Sequence, residues 1–306
     1  MSCRTSAGWP VKMLFALLVA AVTGCVFDGY DDSEDHLPSA SLREWKLPFR
    51  IGMARYTMYA VDLERALDIM RQVDCHCMGL KDGTLDYGAD DETIAAYRAK
   101  LAKYDVELVS AGPEYFCTAE QAERFFAFAK RCGFKTVSVV PYAVKKGMRD
   151  SWGSSREESE AMLDVLEQLV KKYDIRAAIH NHGPDLPNLY PTAEAIWARI
   201  KDRDVRVGLC LDVGHQFRAG GDPAAAIRKY GNRIYEIHLK NVSAPTKSGY
   251  AMQAPRGRMN IREIFRALKD VGFDGYCLVE YERDYRDNAL GLAESFGYYR
   301  GVAEGL

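Results

Sequence analysis

Net charge is nearly absent from this chain. Its 306 residues carry 41 Lys+Arg against 43 Asp+Glu, a balance of -2, so no overall field draws it to nucleic acid or to an acidic membrane surface. Long apolar runs are missing as well. The run Met13-Leu14-Phe15-Ala16-Leu17-Leu18-Val19-Ala20-Ala21-Val22 is too short to favour a membrane-spanning helix. No Gly-rich phosphate fingerprint follows the first strand-like segment, which argues against a doubly wound nucleotide-binding sheet. There is no internal repeat and no low-complexity block. Cys75-His76-Cys77 lacks both the spacing and the second pair of a zinc site. Histidine is scarce, with six in the whole chain.

What is present is an alternation. Hydrophobic residues make up 48% of the chain, enough for a sizeable core. Strand-like runs fall at Arg50–Ala54, Cys77–Leu80, Glu107–Ser110, Thr136–Val140, Ala177–Ile179, Val207–Leu211, Tyr235–Ile237 and Cys277–Val279. They are unbroken apolar runs, as strands covered on both faces should be. Helical spacing fills the gaps, as in Asp62–Val73 with Leu63, Ala66, Leu67, Met70 and Val73. Thr118, Thr192 and Asp222-Pro223 are helix-start signals, and Gly133 and Gly272 are stops. Eight such units between residues 47 and 306 predict a (β/α)8 TIM barrel as a single domain.

The first 46 residues read differently. Arg4 and Lys12 precede the apolar run, and Thr23-Gly24-Cys25 follows it, which is the layout of a secretory signal over residues 1–25. Val22-Thr23-Gly24-Cys25 resembles the bacterial lipoprotein signal, which implies lipidation of Cys25 and a membrane anchor. Residues 26–46, with Asp28, Asp31, Asp32, Glu34 and Asp35, read as a polar tether. The expectation is an exported protein, held to a membrane in the periplasm or at the cell surface. Cys210 and Cys277 sit inside strand runs and read as small core residues.

Chemistry gathers at the strand ends. Four of the six histidines, His180, His182, His215 and His238, lie at or just past the ends of the fifth, sixth and seventh strands. Asp212 ends the sixth run and Glu280 the eighth. TIM-barrel sites are built at this C-terminal face. Imidazoles with carboxylates suit one divalent ion, Mn, Co, Zn, Fe or Mg, and without thiolates nothing selects zinc. Arg55, Lys81, Glu114 and Tyr142 follow the first four strands and would wall a substrate cavity. The long segment Ser243–Arg258 reads either as a lid or as a solvated connector.

At these residues the sequence resembles the xylose isomerase-like barrel superfamily, in its sugar phosphate isomerase/epimerase branch. The resemblance spans about residues 47–300. It rests on Asp212-x-x-His215, on Ile237-His238-Leu239-Lys240, and on Gly272-Phe273-Asp274-Gly275-Tyr276 leading to Val279-Glu280. It implies a metal held by Asp212, His238 and Glu280, with His180 standing where many members have Glu. It implies His215 at the substrate near the metal, and Lys240 facing the site. His182 is then either a supporting residue or a loop histidine, and Glu282 either an orienting acid or a solvated one. The implied activity is a metal-dependent isomerase, epimerase or lyase acting on a sugar or keto-sugar through a stabilised enediolate, with Glu280, His215 and Lys240 as catalytic groups. Substrate-binding residues would be His182, Glu282, Arg55 and Glu114. The missing Glu argues for one-sided proton removal, as in a lyase, over two-sided epimerisation. A non-catalytic carbohydrate-binding barrel is the other class to separate. An endonuclease IV-like phosphodiesterase is disfavoured by the neutral charge, the few histidines and the export signal. The substrate is expected to be a small sugar and no nucleic acid. An oligomer is compatible with the sequence.

Overall fold

The computed structural model describes residues 47–306, apart from 82, 84, 117, 142–155 and 186–189. The predicted leader, Cys25, the tether and Tyr142 lie outside the described residues.

The strands are β1 (Arg50–Ala54), β2 (Cys77–Leu80), β3 (Glu107–Ala111), β4 (Glu114–Tyr115), β5 (Thr136–Val140), β6 (Arg176–His180), β7 (Val207–Asp212), β8 (Ile234–Leu239), β9 (Asn241–Val242), β10 (Ala251–Met252) and β11 (Tyr276–Val279). Nine of them form one sheet in the order β3-β2-β1-β11-β8-β7-β6-β5-β4, and every recorded pair in it is parallel. The two outer strands of that order, β3 and β4, are neighbours in the chain, separated only by Gly112 and Pro113. The sheet therefore bends round into a nearly closed barrel with helices outside it, the predicted fold.

The helices are α1 (Leu63–Gln72), α2 (Asp91–Ala102), α3 (Ala119–Arg131), α4 (Arg156–Tyr173), α5 (Ala193–Ile200), α6 (Val213–Arg218), α7 (Pro223–Tyr230), α8 (Ile261–Asp270) and α9 (Ala289–Glu304). Their starts are set locally. The side chains of Asp62, Asp90, Thr118, Thr192, Asp222 and Asn260 accept hydrogen bonds from first-turn N–H groups, each such cap stabilising by about 1 kcal/mol. Gly272, at φ 66°, ends α8 in the left-handed conformation that glycine adopts without strain. Cys75, Cys77, Cys132, Cys210 and Cys277 are buried free thiols, so the two strand cysteines do serve as core residues.

Two elements went unread in the sequence. Helix α6 begins directly after Asp212, because the Asp212 side chain caps it through the N–H of His215 at 2.7 Å. Within Ser243–Arg258, β10 pairs antiparallel with β9, and the Asn241 amide donates to the Ala254 carbonyl at 2.6 Å. The segment read as lid or connector is thus in part a hydrogen-bonded hairpin.

Candidate functional site

Register brings the polar strand ends level. His180 pairs with Cys210 across β6 and β7, Asp212 with His238 across β7 and β8, and His238 with Leu278 across β8 and β11. Glu280, one residue past β11, donates its N–H to the Leu239 carbonyl at 3.0 Å and so continues the ladder. The side-chain period of two sends Glu236, His238 and Lys240 to one side of β8.

The result is one buried cluster. Ligand atoms of His180, Asp212, His238 and Glu280 lie within 4.8 Å of one another. His180 Nε2 is 3.8 Å from Asp212 Oδ2 and 3.9 Å from Glu280 Oε2, and His238 Nδ1 is 3.4 Å from Glu280 Oε2. All four residues are at most 3% exposed. His180 Nδ1 and Nε2 and His238 Nδ1 are buried without a hydrogen-bond partner, while Asp212 Oδ2 and Glu280 Oε2 are buried with the Lys240 ammonium beside them. Buried polar atoms are rarely left without a partner. Four ligand atoms, one from each of these residues, gather within 4.8 Å of one another, so the donor set fits a divalent ion.

The surrounding residues fix these donors. Asn181 grips the Asp212 backbone at both ends, donating to its carbonyl at 3.0 Å and accepting from its N–H at 2.7 Å. Asp212 Oδ1 is spent on the α6 cap, which leaves Oδ2 for the cluster. His238 Nε2 donates to Glu236 Oε1 at 3.1 Å. In a neutral ring that bond leaves a bare lone pair on Nδ1, facing the Glu280 carboxylate. A proton or a metal ion must stand between these two acceptors. Burial opposes protonation of His238, but Cys210, Glu280 and Glu236 outweigh it and hold the pKa well above the usual histidine value. A positive charge is thus favoured at this spot.

Lys240 supplies a second positive charge. Its Nζ lies 3.1 Å from Asp212 Oδ2, 2.9 Å from Glu280 Oε2, 2.7 Å from Glu282 Oε2 and 3.1 Å from His215 Nε2. Burial lowers its pKa, yet Asp212, Glu280 and Glu282 raise it well above the ordinary lysine value. Carboxylates outnumber the ammonium here, an excess of acid that a divalent ion would offset. Burial pushes Asp212 up to about 7, against the pull of Lys240. Burial also raises Glu280, but Lys240 and His238 bring it well below the carboxylate range. Burial and then Lys240 keep His215 and His182 neutral, His182 at about 4. Their rings stack, centroids 4.9 Å apart. Helix α6 approaches Lys240 so closely that a Cβ on Gly214 would stand 2.5 Å from the Lys240 carbonyl oxygen, which excludes any larger residue there. Cys210 also lies within ligand reach of His180 and His238, and burial raises its thiol to about 11.

Most of the residues predicted for the site meet here: His180, His182, Asp212, His215, His238, Lys240, Glu280 and Glu282. Lys240 faces inward because it lies two residues past His238. Arg55 and Glu114 do not join the cluster. The Arg55 guanidinium donates to the carbonyls of Met58 and Val61, the latter at 2.7 Å, which ties down the turn after β1. Glu114 accepts from the Tyr87 hydroxyl at 2.6 Å. Asn181 and Glu236 were not singled out from the sequence. Asn181 is flanked by the two strand-end histidines, and Glu236 lies two residues before His238, so strand alternation was the signal available.

Comparison with known proteins agrees with this fold. The xylose isomerase-like TIM-barrel pattern matches residues 67–301. The inosose dehydratase of Lacticaseibacillus casei is 30% identical over 252 residues, covering 67% of this chain and 84% of that protein. The inosose dehydratase of Klebsiella pneumoniae (strain 342) is 32% identical over 139 residues, 40% of this chain and 46% of its own. Among solved structures, D-psicose 3-epimerase from Clostridium cellulolyticum H10 superposes with a TM-score of 0.66 at 15% identity, covering 83% of this chain and 99% of that one. L-ribulose 3-epimerase gives 0.64 at 18% identity, covering 84% and 95%. At these identities the two epimerases bear on the fold alone.

Proposed function

This chain belongs to the xylose isomerase-like TIM-barrel family, and on that footing we propose that it is a divalent-metal-dependent enzyme that removes a proton beside a sugar ketone and expels a neighbouring oxygen, a keto-sugar dehydratase or lyase. The observation that carries this reading is the convergence of buried ligand atoms from His180, Asp212, His238 and Glu280 within 4.8 Å of one another. The inosose dehydratase relatives support elimination over epimerisation.

Bound there, an ion would act as a Lewis acid toward the ketone oxygen and its neighbouring hydroxyl. The protein's own groups do the rest. Lys240 keeps a fixed positive charge beside the cluster, where an oxygen gaining negative charge is stabilised. Neutral His215, whose Nε2 accepts from Lys240 Nζ, holds the substrate beside the cluster. Glu280 takes the α-proton. Glu282, less buried than its neighbours, relays a proton to the β-oxygen, which leaves as water or an alcohol. The two carboxylates of the donor set sit on β7 and after β11, and β6 contributes an imidazole, so the donor set has no carboxylate on β6 to answer Glu280 in a symmetric exchange. The reading extends to placement: the chain is exported and anchored through Cys25, so that Cys25→Ser moves it from the membrane to the soluble fraction.

Purified protein, loaded with Mn, Co or Zn and offered a panel of keto-sugars in deuterium oxide, tests the chemistry. One tightly held ion per chain and an unsaturated keto product are expected. An ion-free protein that still binds sugar would establish a non-catalytic barrel. Clean interconversion of C3 epimers would overturn the elimination.

A further inference from the structure

Three tyrosines stand on the same barrel face as the charged cluster without entering it. Tyr56 lies in the single helical turn after β1 and Tyr59 just past that turn, while Tyr285 lies in the loop after β11. The rings of Tyr56 and Tyr59 are stacked, 5.3 Å between centroids and 23° between planes. Tyr285 lies 4.7 Å from Tyr59 and 6.2 Å from Tyr56. Rings in such contact commonly serve a core, yet Tyr59 is 57% exposed. A cavity of about 600 Å³ opens at this cluster, lined by Tyr59, Ala60, Asp284, Tyr285, Arg286 and Asp287. That size lies within the range of small-molecule sites.

The cavity adjoins the catalytic cluster electrostatically. Burial raises the pKa of Tyr56, and Glu282 and Glu280 raise it further. Burial and then Glu282 do the same to Tyr285. The two walls are locked together from beneath. Thr57, fully buried, donates from its hydroxyl to the Val279 carbonyl at 3.2 Å and accepts there from the Tyr281 N–H at 2.9 Å. Its own carbonyl accepts from the Asn288 amide at 2.7 Å. Asp284 holds the loop in a left-handed turn at φ 50°, its carboxylate accepting from the Tyr281 hydroxyl at 3.0 Å. The aromatic surface is therefore set before any ligand arrives, which reduces the entropy cost of binding.

Its chemistry is that of a neutral sugar ring. The exposed Tyr59 ring, with half-buried Tyr285 beside it, can meet the C–H face of a pyranose, and acceptors and a donor around them meet its hydroxyls. Two acids against one arginine do not make an anion site, so a phosphate is not the match. We propose that this cavity is a second sugar subsite and that the enzyme acts on a neutral keto-glycoside of two rings, one at the charged cluster and one on Tyr59 and Tyr285. The inference rests on the reading of the cluster as a sugar-transforming site.

The test is calorimetric binding of gluco-, galacto- and manno-configured disaccharides and their 3-keto forms, against the component monosaccharides, with metal content measured on the same samples. At least one disaccharide should bind about tenfold or more tightly than its components. Tyr59→Ala and Tyr285→Ala should each erase that preference and leave monosaccharide binding unchanged. Tyr59→Ala alters a ring that is more than half exposed, so it keeps the test open should Tyr285→Ala fail to fold. A wild-type protein that prefers no disaccharide, or a preference that survives both substitutions, overturns the subsite. Disaccharide preference in a protein that retains no metal would sink the catalytic reading and leave the subsite standing.

Discussion

The barrel is built from two unlike halves. In the first, β1, β2, β3 and β5 end at Ala54, Leu80, Ala111 and Val140, all apolar and all buried. In the second, β6 and β7 end at His180 and Asp212, β8 carries His238 one residue before its end, and Glu280 follows β11. The cations at the strand ends differ in the same way. Arg55, after β1, binds backbone carbonyls, and Lys81, after β2, binds the Pro113 carbonyl and lies over the Tyr115 ring. Lys240, after β8, binds three carboxylates and a histidine. The Arg55 charge in the first half is spent on the main chain, whereas the Lys240 charge in the second faces buried acids. A buried charge without full compensation is costly. The second half therefore carries a cost that only a ligand offsets, and the first half supplies the rigidity that keeps it in place.

Substitutions at matching strand ends should separate these roles. The largest effect is expected at Asp212. Asp212→Asn keeps an oxygen for the α6 cap but removes one of the two carboxylates of the donor set. Metal stoichiometry, measured by elemental analysis after dialysis, should fall from one ion to near zero. Keto-sugar turnover should drop by about a thousandfold or more, the scale of lost transition-state electrostatics. Thermal unfolding without metal should be nearly unchanged or shift upward, because the substitution relieves a crowded acidic cluster. Retention of the ion in this variant would break the contrast between the halves.

Leu80 holds the equivalent place on β2 and should respond in the opposite way. It is fully buried in the main core. Leu80→Ala should destabilise the fold by about 2–5 kcal/mol, the range for deleting a buried leucine, read as a lower urea midpoint. The folded fraction should still bind one ion per chain. Loss of the ion from folded Leu80→Ala would show that the first half also takes part in the cluster.

The same contrast explains what the sequence made legible. Eight apolar runs separated by helical spacing are a long-range pattern, and most helix boundaries follow from local caps such as Thr192 and Asp222, so the barrel could be read. The cluster residues could be read because imidazoles and acids recur directly after apolar strands, on four strands of the second half. Arg55 and Glu114 sit at equivalent positions in the first half, and position alone suggested that they face the substrate. Their bonds to nearby carbonyls and to Tyr87 depend on turn geometry that no spacing encodes. Helix α6 was hidden because one side chain, Asp212, both caps a helix and presents an atom to the cluster. The tyrosine platform was hidden because Tyr285 lies more than 200 residues from Tyr56 and Tyr59 in the chain and meets their rings only in the folded barrel.

The smallest of these effects belongs to Glu236, which sharpens the contrast from inside the second half. It does not touch the shared point of the donor set. It fixes which nitrogen of His238 carries hydrogen and so leaves Nδ1 facing Glu280. Carboxylates placed behind a ligating histidine commonly govern metal affinity by about 10–100-fold. Glu236→Gln preserves shape and can still accept a hydrogen bond, so folding should be close to wild type. It removes the negative charge that supports His238, and metal affinity, measured by competition with a chromophoric chelator, should weaken within that range. Glu236→Leu removes the acceptor as well and should weaken it further. A graded loss from Glu to Gln to Leu, with the urea midpoint of the Gln variant unmoved, is the signature of an orienting acid. Equal affinity in all three would mean that His238 holds its orientation by packing alone, and that the second half needs no charge behind its ligands.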